Sequence, residues 1–367
     1  MGQTTDVFVI GGGPVGLAVA IAARQKGFEV VVADSAEPPI DKACGEGLMP
    51  DTVSALRTLG VPLTPAQGFA FRGIRFVGED ARVDANFPSG QGIGLRRPVL
   101  HQKMIERAEK LGITLCWKTP VTGISAEGVL AGGRTISARW MVGADGIRSR
   151  VRRWCGLESP AMVRPRYAFR RHYRVAPWTD CAEIYWGWNT QAYVTPVGRN
   201  DVCVVLISRR PGTRSTSITG EFPELADRLS SAEGGPERGA VTLTCGFDRV
   251  YRGRVALVGD ASGSVDAITG EGLCLGFHQA GALAEAFERN DLSEYQMSHR
   301  RLARRPTAMG RLLLMLDSHS GTRRRALHAL AKHPELFARI LAVHVGSSSP
   351  AQLAMTAALL SWRFVLA

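Results

Sequence analysis

Runs of apolar residues in the first part of the chain follow the order strand, helix, strand. Residues 6–10 predict a buried strand, residues 17–26 an Ala-rich helix and residues 29–33 a second strand. Pro98 suits the first turn of another helix, which is predicted to end at Lys110. Further strands are predicted at 113–117, 121–125 and 140–144. This alternation favours an α/β domain built on a parallel sheet.

Alternating apolar and polar positions predict a second region that is rich in β-structure. Residues 71–87 predict a hairpin that turns at Gly78-Glu79-Asp80, and residues 128–138 predict another that turns at Gly132-Gly133. An inserted antiparallel sheet is predicted from strands at 167–175, 182–188, 191–195 and 202–208. Other predicted elements are helices at 51–59, with Asp51 as N-cap, at 218–231 and over most of the chain after Gly270, and strands at 241–245 and 254–258.

Together these patterns predict a discontinuous α/β domain that is interrupted by a second domain built on the inserted sheet. Residues 1–70, 97–165 and 240–290 are assigned to the first, 71–96 and 166–239 to the second, and 291–367 to a C-terminal helical region. That last region has apolar residues at helical spacing, among them Leu312, Leu330, Leu353, Leu359 and Leu360. They are expected to pack against the two domains or to form an entry for an amphiphilic substrate.

A glycine-rich loop follows the first predicted strand. Gly11-Gly12-Gly13-Pro14-Val15-Gly16 matches the pattern in which a helix N-terminus holds the pyrophosphate of a dinucleotide. Gly11 permits the tight turn, Gly13 lets the backbone approach the ligand, and Gly16 lets helix and strand pack closely. Asp34 ends the second strand, where an acid accepts hydrogen bonds from ribose hydroxyls and repels a 2′-phosphate.

Two more loops of this kind occur at Gly143-Ala144-Asp145-Gly146 and Gly259-Asp260-Ala261. With the helix start Arg97-Pro98-Val99-Leu100, the motif order resembles the FAD-dependent oxidoreductase superfamily of class A flavoprotein monooxygenases, flavin-dependent halogenases and geranylgeranyl reductases. The match covers most of residues 5–290. The resemblance implies FAD as cofactor and a fold class of α/β, with a glutathione-reductase-like Rossmann-type FAD-binding domain.

The resemblance also implies which residues meet the cofactor. Asp260 would accept hydrogen bonds from ribityl hydroxyls, and Asp145 would cap a helix and, with Arg97, organise the pyrophosphate. A helix N-terminus at residues 270–273 would stabilise the negative charge of reduced flavin, and the backbone of Val121 would meet adenine. The candidate cofactor-binding residues are Gly11, Gly13, Pro14, Val15, Gly16, Asp34, Lys42, Arg97, Val121, Asp145, Gly259, Asp260, Gly270, Glu271, Gly272 and Leu273.

One segment resembles the reductases rather than the hydroxylases. Cys44-Gly45-Glu46-Gly47-Leu48 is similar to the Cys-Gly-Gly-Gly-Leu of geranylgeranyl reductases, in which the cysteine lies beside the flavin. Cys44 is therefore either a proton donor or pocket residue, or a small loop residue. The run after Asp260 lacks the His and the Pro-Pro pair of class A hydroxylases and has Ala267 where proline is common.

Candidate substrate-site residues lie in the predicted sheet. Tyr185-Trp186-Gly187-Trp188 is similar to the tryptophan pair of halogenases, but the Ile-Pro that should follow is missing, so halogenation is not expected. Tyr185 and Trp186 instead predict an aromatic pocket wall or ordinary sheet packing. His172 is a candidate acid or base.

Three functions are compatible with these features. The leading hypothesis is a monooxygenase that hydroxylates a hydrophobic aromatic or polyketide-like substrate through a flavin C4a-hydroperoxide, supported by the hydroxylase-like segment Thr195-Pro196-Val197-Gly198. The rival is an alkene reductase similar to geranylgeranyl reductases. A third is a flavoprotein that acts on or matures a protein partner. The chain has no second GxGxxG loop and so no dedicated nicotinamide domain, and the expected reductant is transiently bound NADH or NADPH, or another electron donor.

Composition changes this picture mainly through charge. The net charge of +12 comes from arginine. Arginines cluster at 148–153, 300–305 and 323–325, and these clusters are either solvated helix faces or contacts to an anionic membrane surface or acidic carrier protein. Nucleic acid is not expected, because no nucleic-acid motif accompanies them. Seven scattered cysteines without a CxxC pair favour a reducing compartment and no metal. With neither a signal peptide nor a spanning apolar run, the prediction is a cytoplasmic protein, with peripheral membrane contact left open.

Overall fold

A computed structural model describes residues 4–158, 165–188 and 190–348 of the chain. The strands are β1 (Thr4–Ile10), β2 (Val30–Ala33), β3 (Gly47–Leu48), β4 (Phe69–Phe71), β5 (Gly73–Val77), β6 (Arg82–Asn86), β7 (Gly92–Gly94), β8 (Thr114–Cys116), β9 (Val121–Ile124), β10 (Val129–Ala131), β11 (Arg134–Gly143), β12 (Arg166–Arg174), β13 (Cys181–Trp186), β14 (Thr190–Gly198), β15 (Asp201–Ser208), β16 (Glu233–Gly234), β17 (Arg238–Thr242), β18 (Cys245–Gly246), β19 (Tyr251–Arg252), β20 (Val255–Leu257) and β21 (Gly263–Ser264). The helices are α1 (Pro14–Gln25), α2 (Pro50–Thr58), α3 (Arg97–Lys110), α4 (Arg150–Trp154), α5 (Ile218–Glu221), α6 (Pro223–Leu229), α7 (Gly272–Glu288), α8 (Leu292–Ser318), α9 (Ser320–Lys332) and α10 (Pro334–His344).

The first sheet has the parallel core that the βαβ pattern predicts. Strands β20, β11, β1, β2 and β8 lie side by side and pair in parallel. The centre of β1 is apolar on both faces because helices α1, α3 and α7 cover one face and a second apolar cluster covers the other. The carboxyl ends of β1, β2 and β11 therefore meet at one edge, where the predicted loops lie.

The second sheet carries the predicted substrate region. Its order is β16-β12-β15-β14-β13-β5-β6, with β17 pairing with β12. Helices α5 and α6 pack on one face, and α8, α9 and α10 contribute to the apolar cluster on the other. The predicted hairpin at 71–87 is confirmed as β5 and β6. The sheet is mixed rather than purely antiparallel, because β13 pairs in parallel with β5.

Several predicted boundaries are wrong for identifiable reasons. Helix α2 begins at Pro50 with Met49 as N-cap, so Asp51 lies in the first turn and does not cap it. The helix predicted at 218–231 is two helices, because Pro223 has no N–H to continue α5. The second strand of the predicted 128–138 hairpin and the strand at 140–144 form the single strand β11.

Other predictions concern the end of the sheet and of the chain. The strand predicted at 241–245 corresponds to β17, which begins before the predicted start, at Arg238. It joins the second sheet by pairing with β12. The chain after Gly270 is helical almost throughout up to His344, as predicted. The predicted apolar positions Leu353, Leu359 and Leu360 lie outside the described residues. Among the described helices, none is long and apolar enough to cross a membrane.

A buried ion pair joins the second sheet to the loop before α7. Arg166 of β12 donates from Nη1 to Oδ1 of Asp266 at 2.7 Å, and the two side chains are only 5 % and 4 % exposed. Asp266 also accepts the backbone N–H of Ile268 and so orders the short loop between β21 and α7.

Replacing Arg166 by Met should leave the carboxylate of Asp266 buried without its cation. Loss of one partner of a buried pair costs about 3–5 kcal/mol of the free energy of unfolding. Urea denaturation of Arg166→Met measures this loss. The control is Arg174→Met, because Arg174 pairs with Glu233 in solvent, where such pairs contribute up to about 1 kcal/mol. Equal losses in both variants would contradict the role of the buried pair.

Candidate cofactor and substrate site

A cavity of about 810 Å³ lies where the carboxyl edge of the first sheet meets the second sheet and the C-terminal helices. The glycine loop before α1, the loop at 40–47 and the turn before α7 line one part of it. The remaining walls are mostly apolar: they include Met49, Phe71, Ile74, Phe76, Ala182, Ile184, Met309, Leu313, Phe337 and Leu341. The cavity thus has a polar, glycine-rich part and an apolar part.

The glycine loop after β1 has the geometry expected of a dinucleotide site. Gly11 has φ +112°, a region that favours glycine, and a Cβ at Gly16 would lie 1.8 Å from the carbonyl oxygen of Gly11. A Cβ at Gly13 would meet nothing within 4 Å, because Gly13 borders the cavity. The loop is therefore closed against the sheet on one side and open toward a ligand on the other.

Asp34 and His101 hold this loop in place. The carboxylate of Asp34 accepts the N–H groups of Gly12 at 2.7 Å and Ala36 at 2.8 Å, and the residue lines the cavity. The buried His101 of α3 accepts the N–H of Ile40 at Nδ1, so its Nε2–H donates to the carbonyl of Gly12 at 2.7 Å. Burial lowers the pKa of His101, which keeps the ring neutral. Sequence reasoning missed His101.

The second loop offers an unsatisfied acceptor. Oδ2 of Asp145 accepts the N–H groups of Arg150 and Val151 at the start of α4, as predicted for a capping aspartate, while Ser149 is the N-cap itself. Oδ1 of Asp145 is buried without a hydrogen-bond partner among the described residues, as is Nε of Arg97. Both residues line the cavity, where an acceptor and a donor remain for a ligand.

The third loop and the turn before α7 line the same cavity. Asp260 lies 3.3 Å from Nζ of Lys42, so two predicted cofactor residues from distant parts of the chain are brought together. Val121 also lines the cavity. A Cβ at Gly270 or Gly272 would meet nothing within 4 Å, which leaves the N-terminus of α7 open to a ligand.

Glu271 lies at this N-terminus but faces the protein interior. Its Oε1 accepts from Arg305 at 3.0 Å, while Oε2 lies 3.4 Å from Nδ1 of His344 without a hydrogen bond. Burial raises the pKa of Glu271 to about 8, against the opposing charge of Arg305. His344 donates from Nε2 to the carbonyl of Thr269, and burial lowers its pKa to about 4. A protonated Glu271 therefore faces a neutral histidine.

A buried charge network fixes the Cys44 loop. The backbone of Glu46 has φ 58°. Its carboxylate accepts hydrogen bonds from the backbone N–H of Arg97 at 3.0 Å, from Nη1 of Arg170 at 2.9 Å and from Nε2 of His172 at 2.6 Å. Burial alone would raise the pKa of Glu46, but these hydrogen bonds and charges outweigh it and lower the pKa. The N–H of Glu46 donates to Sγ of Cys44, which lines the cavity. Glu46 thus links the Cys44 loop to α3 and β12.

The other candidate catalytic residues lie outside the cavity wall. His172 is buried behind Glu46. The hydroxyl of Tyr185 donates to Glu183, and its ring packs on Phe222 under α5. Trp186 packs against Phe76, which itself lines the cavity. At this strand the wall is formed by Ala182, Glu183 and Ile184. The catalytic roles of these residues stay predictions.

The polar part of the cavity fits FAD. Several glycines leave room for a ligand at the backbone, namely Gly13, Gly146, Gly270 and Gly272. The unpaired donor of Arg97 and acceptor of Asp145 match phosphate oxygens and sugar hydroxyls. The N-termini of α1 and α7 both point at this space and favour negative charge there.

The raised pKa of Glu271 predicts a pH-dependent stability difference. Below the pKa that it has in the unfolded chain, Glu271 is protonated in both states and does not change the free energy of unfolding. As the pH rises from there toward about 8, the carboxyl ionises in the unfolded chain but not in the folded one, so the free energy of unfolding falls. The stability of the wild type should therefore fall relative to Glu271→Gln between about pH 5 and 8, by up to about 1.4 kcal/mol per pH unit. Urea denaturation across this range measures it.

The control is Glu288→Gln, because Glu288 pairs with Lys26 in solvent. Its stability difference from the wild type should stay within about 0.5 kcal/mol across the range. A constant difference between the wild type and Glu271→Gln from pH 5 to 9 would show that the carboxyl does not titrate in this window.

Comparisons with known proteins show the family and the fold of this chain. The model of a family described as "FAD binding domain" matches residues 4–234. The menaquinone reductase of Mycobacterium tuberculosis is 27 % identical over 331 residues, which cover 79 % of this chain and 78 % of the relative. Digeranylgeranylglycerophospholipid reductase 1 of Methanothermobacter thermautotrophicus is 28 % identical over 81 % of this chain and 80 % of its own. The ubiquinone hydroxylase UbiL of Rhodospirillum rubrum is 28 % identical over 77 % of this chain and 72 % of its own.

Solved structures agree on the fold. A flavoprotein/dehydrogenase from Cytophaga hutchinsonii superposes with a TM-score of 0.81 at 20 % identity, covering 93 % of each chain. The expected fold class is confirmed, with a Rossmann-type FAD-binding domain, a second sheet and C-terminal helices. The resemblance to the superfamily of flavoprotein monooxygenases and geranylgeranyl reductases is confirmed as well. The family match spans more than half of the chain, which therefore belongs to the FAD-binding domain family and is an FAD-dependent oxidoreductase.

Proposed function

We propose that this oxidoreductase hydroxylates the aromatic ring of a substrate that carries a long apolar chain. The observation that supports the substrate class is the apolar part of the cavity, which continues from the flavin loops to helices α8 and α10. Its aliphatic and aromatic walls would bind an apolar chain through the hydrophobic effect. The relatives that act on menaquinone, ubiquinone and a digeranylgeranyl phospholipid support the same class.

The walls also suit chemistry from which water is excluded. Two polar side chains at the apolar part are already engaged, since Tyr193 donates to the carbonyl of Ile268 and Glu183 accepts from Trp178 and Tyr185. Burial raises the pKa of Tyr185 further above neutrality, so its proton stays in place. Tyr193 and Glu183 line the cavity, and neither needs to deliver a proton to substrate carbon during hydroxylation.

In this proposal FAD supplies the redox chemistry, and NADH or NADPH serves as its transient reductant. The glycine loop with Gly13 would bind the pyrophosphate, and Asp34 the adenosine ribose. Asp260 would accept hydrogen bonds from the ribityl chain, and Lys42 would hold that carboxylate in place. The N-terminus of α7 would stabilise negative charge at the ring system.

A second candidate is reduction of a carbon–carbon double bond. That reaction adds a hydride and a proton to adjacent carbons, so it needs a proton donor beside the substrate. Cys44 offers an S–H at the boundary between the polar and apolar parts of the cavity. The reductases among the relatives support this candidate, and the notable difference from hydroxylation is its independence of oxygen.

Gly13→Val tests the cofactor site. The backbone of Gly13 has φ −68°, so valine fits the fold, but its side chain would occupy the space assigned to the pyrophosphate. We expect FAD affinity to fall at least about 100-fold, equivalent to about 2.7 kcal/mol. Titration of the flavin-free protein with FAD measures the affinity, and its circular dichroism measures the fold. Gly123→Val is the matched control, because Gly123 also borders open space but does not line the cavity.

Oxygen dependence tests the reaction. The purified holoenzyme is supplied with NADH or NADPH and either a phenol with a long alkyl chain or a polyprenyl quinone. Hydroxylation predicts a product that gains one oxygen atom from isotopically labelled oxygen, detected by mass spectrometry, and no product without oxygen. A product that gains two hydrogens at a carbon–carbon double bond of the apolar chain under strict anaerobiosis, and that Cys44→Ala fails to form, would replace the hydroxylation proposal with the second candidate.

A further inference from the structure

The apolar part of the cavity reaches the protein surface beside helix α8. Leu312 lines the cavity and is also 38 % exposed, so its side chain lies at the rim. Met315, on the next turn, is 43 % exposed and carries the apolar surface outward. A substrate of the proposed kind would enter at such a rim, because the rim offers apolar contacts continuous with those inside.

A third exposed apolar side chain lies close to this end of α8. Trp188 is 70 % exposed in the turn after β13. Arg323 ties that turn to α8, since its Nη2 donates to the carbonyl of Gly187 and its Nη1 to those of Leu316 and Asp317. A large aromatic residue held in solvent beside an apolar rim is typical of proteins that contact a membrane interface.

Arginines extend the same helix face. Arg301, Arg304 and Arg311 are exposed at helical spacing, and none has an acidic partner among the described residues. The sequence of α8 contains no Asp or Glu between Glu294 and Asp317. At about 1.5 Å per residue, the face from Arg301 to Met315 is about 21 Å long. It therefore presents a positive stripe that ends in exposed apolar residues.

We propose that this α8 face, formed by Arg301, Arg304, Arg311, Leu312 and Met315 together with Trp188, docks the protein on an anionic lipid bilayer. The arginines match the negative surface of such a bilayer, and the apolar residues match its acyl region. An acidic protein would satisfy the charges but would leave the apolar rim in water. Docking opens the cavity directly to molecules dissolved in the membrane. This inference rests on the proposed apolar substrate.

Vesicle sedimentation of the flavin-loaded full chain tests the docking. Vesicles of phosphatidylcholine with phosphatidylglycerol should bind the protein, vesicles of phosphatidylcholine alone should bind it weakly, and added salt should reduce binding. The variants are Arg304→Glu/Arg311→Glu for the charges and Trp188→Ser/Met315→Ser for the apolar contact. Each should lower partitioning at least about tenfold, equivalent to about 1.4 kcal/mol.

The control is Leu130→Ser/Arg134→Glu, which makes the same kinds of change on the exposed hairpin of β10 and β11. It should leave partitioning unchanged. Binding that falls equally in the control, or that does not depend on phosphatidylglycerol, would overturn the inference. Loss of binding in the charge variant alone would also overturn it, because the face would then contact an acidic surface without entering the membrane.

Turnover separates this inference from the proposed function. The charge variant should oxidise a detergent-solubilised substrate as fast as the wild type, and a vesicle-embedded substrate more slowly. If neither protein oxidises the substrate in either form, the proposed function fails while the vesicle-binding result still decides the docking. Equal rates for both proteins on vesicle-embedded substrate would show that docking does not deliver the substrate.

Discussion

Two buried arginines on one strand hold the substrate sheet against the cofactor loops. Arg166 and Arg170 lie four residues apart on β12 and therefore on the same face. Arg166 binds Asp266 in the loop before α7, and Arg170 binds Glu46 and Asp41 in the Cys44 loop. Each buried charge is tolerated only because its partners are present, so the two loops and the sheet must assemble together.

This arrangement explains why the two parts of the cavity are continuous. The loops that line its polar part are tied to the same strand whose Ala168 lines the cavity between the two arginines. Glu46 adds a link to α3 through the N–H of Arg97, and His101 on that helix binds the glycine loop. Cofactor loops and substrate wall are thus positioned by one connected set of buried polar contacts.

The sequence predicts the cofactor half of the molecule well and the contacts between its halves poorly. Parallel strands, glycine loops and Asp34 are local patterns, so they can be read without knowing the tertiary structure. The inward face of β12 is the opposite case, because it carries Arg166, Arg170 and His172 where alternation suggests apolar residues. Their acidic partners are about 100 residues or more away in the chain, and no local pattern identifies them.

The two candidate reactions depend on different residues of the cavity. Reduction of a double bond requires a proton donor at the substrate, and Cys44 is the candidate donor. Its loop is held in place by Glu46, which binds Sγ of Cys44 through its N–H and Arg170 through its carboxylate. Hydroxylation instead requires the apolar walls, which keep water out and hold the aromatic ring of the substrate. Both reactions would take place in one cavity, but they require different residues of it. A chain with the walls intact and the thiol removed retains only the chemistry that does not need a proton from the protein.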